Sequence, residues 1–97
     1  MLRAEFHHIT NGLTLLKLEG RLVGEWAVQV KSLVTNEALP KRLVVDLTEV
    51  TYVDSVGEHL LTWLGTLHAV FAAETCYAHN LCEQLHLRLE GDPISFS

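Results

Sequence analysis

Cysteine is scarce in this chain: Cys76 and Cys82 are the two thiols in 97 residues, with no C-x-x-C pair. A disulfide framework needs more, so the expectation is a cytoplasmic protein with reduced thiols. Basic residues are few. Seven Lys and Arg stand against twelve Asp and Glu, for a net charge of −5, and only Lys41-Arg42 are adjacent. This argues against nucleic acid as a main partner, because phosphate contact needs a basic face. No apolar run approaches the ~20 residues of a membrane span. Met1-Leu2-Arg3 leads into polar residues rather than the apolar core of a signal peptide. There is no G-x-x-x-x-G-K-[ST] phosphate loop and no G-x-S-x-G nucleophile elbow. Ser55 and His59 stand one helical turn apart, but without an elbow they do not make a hydrolase. Neither a catalytic residue nor a cofactor is expected. Internal repeats, linkers and low-complexity stretches are missing too. Residues 1–97 therefore read as one small domain, burying roughly 60–65% of its unfolded surface.

What is present is globular: 48% hydrophobic and 20% charged residues. Glu5 to Thr10 alternates weakly, and Asn11-Gly12 is a hairpin signal for a type I′ turn. Leu13 to Glu19 alternates again, with Leu16 and Leu18 on one side and Lys17 and Glu19 on the other. Gly20 closes that strand, and Arg21 to Gly24 is a connection. From Glu25 the period becomes helical. Trp26, Val30 and Leu33 form the inner stripe, with Ala27 and Val34 beside it; Asn36 is the end and Pro40 forbids continuation.

Arg42 to Phe71 is the stretch around which the rest is organised. Leu43-Val44-Val45 reads as a buried parallel strand, ended by Asp46 and Thr48. A second apolar pulse, Val50 to Val53, leads into Asp54-Ser55-Val56-Gly57. A long helix follows, striped by Val56, Leu60, Leu64, Leu67 and Phe71. Ser55 and Glu58 have the spacing of a capping box, with Ser55 as N-cap at a positive helix N-terminus. After Glu74-Thr75, Cys76 to His79 is a candidate strand. Asn80 and Glu83 suggest a further capping box, followed by Leu81, Leu85 and Leu89 on one helix face. Gly91-Asp92-Pro93 stops that helix, and Ile94 to Ser97 is a tail able to form a last edge strand. The order β-β-α-β-α-β-α predicts an α/β fold, a mixed four-stranded sheet with helices packed on it.

The residues Val45-Asp46-Leu47-Thr48, Val50, Val53 and Asp54-Ser55-Val56-Gly57, with the apolar helix behind them, resemble the STAS domain, the fold of bacterial anti-sigma-factor antagonists. The element order extends the resemblance over roughly residues 4–90. The resemblance implies a regulatory binding module in which Ser55 is phosphorylated by a kinase-type anti-sigma factor. Asp54 would lie beside it at the partner surface, which comprises Asp54, Ser55, Val56, Gly57, Glu58 and Thr62. An alternative is a non-phosphorylated STAS-like subunit held permanently in a larger complex such as a lipid-transport ATPase. Two positions depart from the family pattern. Val56 stands where a small or hydroxylated residue is more usual, and Glu58 where an apolar one is. Family members also usually continue with a further strand and helix.

From His59 to Ala73 there is no Asp, Glu, Lys or Arg. The expected outer face of the helix there, Thr62, Gly65, Thr66 and Ala69, is small and uncharged. Such a face is either buried in the domain or covered by a partner protein, a second copy included; Trp63 falls near the inner stripe. Cys76, His79, Cys82 and His86 make C-x2-H-x2-C-x3-H, which invites a zinc reading. The strand-then-helix layout sets Cys76 and His79 on opposite faces, so no metal is expected and the cysteines read as small core hydrophobes.

Overall fold

The computed structural model describes residues 2–10, 12–36 and 42–89. Two strands open the chain, β1 (Leu2–Thr10) and β2 (Leu13–Leu22), followed by α1 (Gly24–Asn36), β3 (Arg42–Val53), α2 (Ser55–Thr66), β4 (Val70–Ala72) and α3 (Cys76–Gln84). The sheet order is β1-β2-β3-β4. β1 and β2 pair antiparallel, while β2/β3 and β3/β4 are parallel, so the sheet is mixed and has the expected element order. Asn11, Pro40 and residues 90–97 lie outside the described residues, and with them the full turn type, the proline stop, the Gly91-Asp92-Pro93 stop and the tail strand. Gly12 has φ 82°, the left-handed backbone that a type I′ turn requires.

Alternation decides what each strand buries. Leu16, Leu18 and Leu22 of β2, the buried positions of β3 and Phe71 of β4 share one apolar cluster with the buried apolar residues of all three helices. β2 passes through Gly20 and ends at Leu22 rather than stopping at the glycine. The two apolar pulses of 42–53 form a single twelve-residue strand. The register of β3 against β2 slips between Lys17/Asp46 and Glu19/Glu49, and again between Gly20/Val50 and Arg21/Tyr52, each time by an extra residue on β3. A bulge of this kind shifts the alternation by one. The buried positions therefore run Leu43, Val45, Leu47 and then Val50, Val53, and the sequence pattern mimics a break. Asp46 Oδ1 accepts from the Thr48 N–H at 2.9 Å at the first bulge.

α1 is rotated from its expected setting. Ala27, Val30 and Val34 are buried, whereas Trp26 and Leu33 are 37% and 46% exposed. The small Ala27 lets the helix lie close on the sheet, and a tryptophan there would hold it off. α2 ends at Thr66, five residues before Phe71, so the expected long stripe is broken. Leu60, Leu61 and Leu64 are its buried leucines, and Phe71 reaches the core from β4 instead. Ala69, expected on the outer face of that helix, is buried beyond its end. The fourth strand is thus Val70–Ala72. Cys76 to His79, expected as a strand, is the start of α3, capped by Thr75, whose side chain accepts from the Ala78 N–H. Asn80 lies inside that helix, not at its cap.

The ends of α2 and α3 explain both shifts. Each closes in the same doubly bonded turn: Ala69 N–H donates to Leu64 O and His68 N–H to Gly65 O; Leu87 N–H donates to Cys82 O and His86 N–H to Glu83 O. The residue that must turn left-handed is usually glycine in such a terminus. Here it is histidine, with φ 65° at His68 and 58° at His86. Without a glycine to mark the stop, the apolar period ran on. A left-handed side chain costs about 1–2 kcal/mol, and a glycine costs about 0.5–1 kcal/mol of backbone entropy. His68→Gly and His86→Gly should therefore each stabilise by about 0.5–1 kcal/mol. Urea unfolding at matched pH reads this directly. A loss of stability in either variant would mean that the imidazole makes native contacts larger than the strain.

Candidate functional site

The Asp54-Ser55 junction sits where β3 ends and α2 begins. The capping box expected of Ser55 and Glu58 is not formed. Asp54 is the N-cap, with extended backbone (φ −92°, ψ −173°). Its Oδ1 accepts from the Gly57 N–H at 2.9 Å. Its Oδ2 accepts from the Gly24 N–H at 3.1 Å. One carboxylate thus ties the start of α2 to the start of α1, and both helix N-termini converge on it. An aspartate wins over the following serine because its two oxygens can satisfy two backbone donors at once.

Ser55 is therefore the first residue of α2, and it is exposed. Its hydroxyl is not engaged in the cap. Val56 beside it is 39% exposed, Thr62 is exposed, Glu58 is half-buried and Gly57 is buried. Gly57 has an independent steric reason: a Cβ there would lie 2.2 Å from Leu22 O and 2.7 Å from Val53 Cγ1. Asp46, which also belongs to the resemblance, lies on β3 away from this junction, bonded to the Thr48 N–H.

A groove of about 180 Å³ continues from Val56 between α1 and α2, lined by Val28, Lys31, His59, Leu60 and Trp63 with Ala27 beneath. Trp63 is partly buried, and the Lys31 ammonium lies 5.1 Å from its ring centroid, within reach of a cation–π contact. Val28 is 58% exposed. The sequence signal for this groove was present in Val28, an apolar residue off the inner stripe of α1. It was unreadable without knowing that α1 packs beside α2.

The cysteine–histidine set is not assembled. Cys76 is exposed on the first turn of α3 and so is no core residue, whereas Cys82 is buried. Burial pushes the Cys82 thiol up to about 11, which keeps it protonated and unreactive near neutral pH. His79 faces Glu83 at 3.6 Å on the surface of α3. Among the described residues no three or more of His, Cys, Asp and Glu gather closely enough to hold a metal ion. Among them, too, no helix is long and apolar enough to cross a membrane.

The sequence pattern of the STAS domain matches residues 7–64, a span that includes Asp54, Ser55 and most of α2. Two solved structures share the fold. The anti-sigma factor antagonist SpoIIAA in its unphosphorylated form superposes with a TM-score of 0.71 at 12% identity, over 88% of this chain and 82% of that one. An anti-sigma factor antagonist from Mycobacterium paratuberculosis gives 0.54 at 15% identity, over 91% and 86%. No curated protein sequence matches the chain. At these identities the two structures speak for the fold, and the family pattern for descent.

Proposed function

Since the chain belongs to the STAS domain family, we propose that it is a cytoplasmic, non-enzymatic regulatory module of the anti-sigma-factor-antagonist type, switched by phosphorylation of Ser55. The observation that carries this is the exposed Ser55 hydroxyl at the first position of α2, left out of the cap by Asp54. In this reading the unphosphorylated form docks on a kinase-type anti-sigma factor through Asp54, Ser55, Val56, Glu58 and Thr62, with Gly57 seating the turn from beneath. ATP bound to that kinase supplies the phosphate, and the modified form is released.

The physics suits a surface switch. Phosphate adds about −1.5 to −2 charge. The first turn of a helix accepts an anion, so the fold survives. Asp54 and Glu58 already make the spot acidic, and the added charge repels an acidic or closely packed partner rather than reorganising the domain.

Two measurements test it. Incubation with the kinase-like partner and ATP should add one phosphate to Ser55 by mass spectrometry. Ser55→Ala should bind the partner as the native chain does, while Ser55→Asp should bind roughly a hundredfold more weakly. An acid at this helix position adds about 0.3–1 kcal/mol of stability, so Ser55→Asp should lose binding while melting no lower. Equal binding by the two variants would remove the switch.

The alternative, a permanent subunit of a larger complex such as a lipid-transport ATPase, is favoured by one observation. The groove beside Val56 and the uncharged exposed positions of α2 offer a surface that no modification is needed to regulate. ATP-independent co-purification with an unmodified Ser55 would select it.

A further inference from the structure

The opposite end of α2 carries a second site. A half-open cleft of about 290 Å³ lies between the C-terminal ends of α2 and α3, lined by Thr62, Thr66, His68, His86 and Arg88 over Leu87. In a chain with twelve acidic residues against seven Lys and Arg, no Asp or Glu among the described residues lines it. Glu83 on α3 faces His79, and Glu58 sits at the far end of α2. Among the described residues Arg88 makes no ion pair.

His68 and His86 are the two non-glycine residues with positive φ among those described, and both face this one cleft. Strained backbone of this kind persists where surrounding structure or function holds it. The carbonyl ends of two helices would ordinarily repel an anion. Here the Leu64, Gly65, Cys82 and Glu83 carbonyls accept from the backbone N–H groups of the turns themselves, and the Arg88 charge offsets the dipole that remains.

We propose that this cleft binds a phosphate group, as the free ion or as a small monoester, gripped by the Arg88 guanidinium and the two imidazoles, with Thr62 as a further donor. Guanidinium and imidazole donors to a dianion form charge-assisted bonds, stronger than neutral ones.

The test is a titration of ¹⁵N-labelled protein at constant ionic strength, with inorganic phosphate and separately with glycerol 3-phosphate. Saturable amide shifts confined to residues 66–69 and 85–88 are expected. Tighter binding of one titrant tells the ion from the ester. Arg88→Gln should weaken binding at least about tenfold. The His68→Gly/His86→Gly pair keeps both left-handed turns and so keeps the fold, yet should abolish saturation. Shifts that do not saturate, or affinity unchanged in Arg88→Gln and in the glycine pair, would overturn the proposal.

Discussion

Gly57→Ala should lower the melting temperature by about 12–24 °C, from a cost of about 3 kcal/mol or more. The added methyl would sit 2.2 Å from Leu22 O, far inside the ~3.5 Å of an ordinary contact. The obstacle is a backbone carbonyl at the buried end of β2, and Asp54 N–H donates to that same oxygen. α2 can make room only by lifting from the sheet. That movement drags the Gly57 N–H away from Asp54 and opens the cap. A domain of this length has roughly 5–15 kcal/mol to lose, so the variant still folds at room temperature but with much of its margin gone. Gly24→Ala is the control. Gly24 is left-handed at φ 48°, but nothing lies within 4 Å of its Cβ position, so only the backbone strain of about 1–2 kcal/mol applies. Circular dichroism melts of the two, side by side, decide the matter. Equal losses would mean that the Leu22 carbonyl yields easily.

Asp54→Ala should cost about 2–3 kcal/mol in urea unfolding. The helix cap is worth about 1 kcal/mol. A hydrogen bond to a charged acceptor is worth about 1.5–3 kcal/mol, and the lower end applies to this part-buried pair. Asp54→Asn separates the two. Its amide oxygen can still cap Gly57, but its NH2 then meets the Gly24 N–H, donor against donor. The Asn variant should therefore lose most of the Gly24 share and keep the cap. Should Asn match the native chain, the link between the two helix starts contributes nothing. Because Asp54 also borders Ser55, both variants belong in the binding assay only at temperatures where they remain folded.

The histidines show where sequence patterning misled. Leu60, Leu64, Leu67 and Phe71 are spaced as one helical stripe, yet His68 turns the chain between the third and the fourth. Phe71 is fully buried either way. A burial pattern is blind to which element delivers the side chain, and the three-residue β4 is too short to show a period of its own. The shift at 76–79 follows, because β4 carries no periodic signal and the short run after Thr75 is the next stretch with strand-like composition. The expected Ser55 cap failed for a different reason. Serine and aspartate are both good caps, and only the position of Gly24 across the fold makes two oxygens better than one. For the groove and the cleft, every participating residue was visible, but their neighbours belong to elements twenty to forty residues away.

Period and composition alone determined the alternating hairpin, the succession of strands and helices as far as the start of α2, the acidic character of the chain and the serine at that helix start, because these depend on neighbours within a turn or two. Tertiary structure decided the rest. It selected Asp54 as the cap, because a second helix start needed the same carboxylate. It made Gly57 obligatory, because a carbonyl of β2 occupies the space. It brought His68, His86 and Arg88 to one cleft, because two helices end side by side. Each of these is a contact between distant segments, and local propensity carries no information about it.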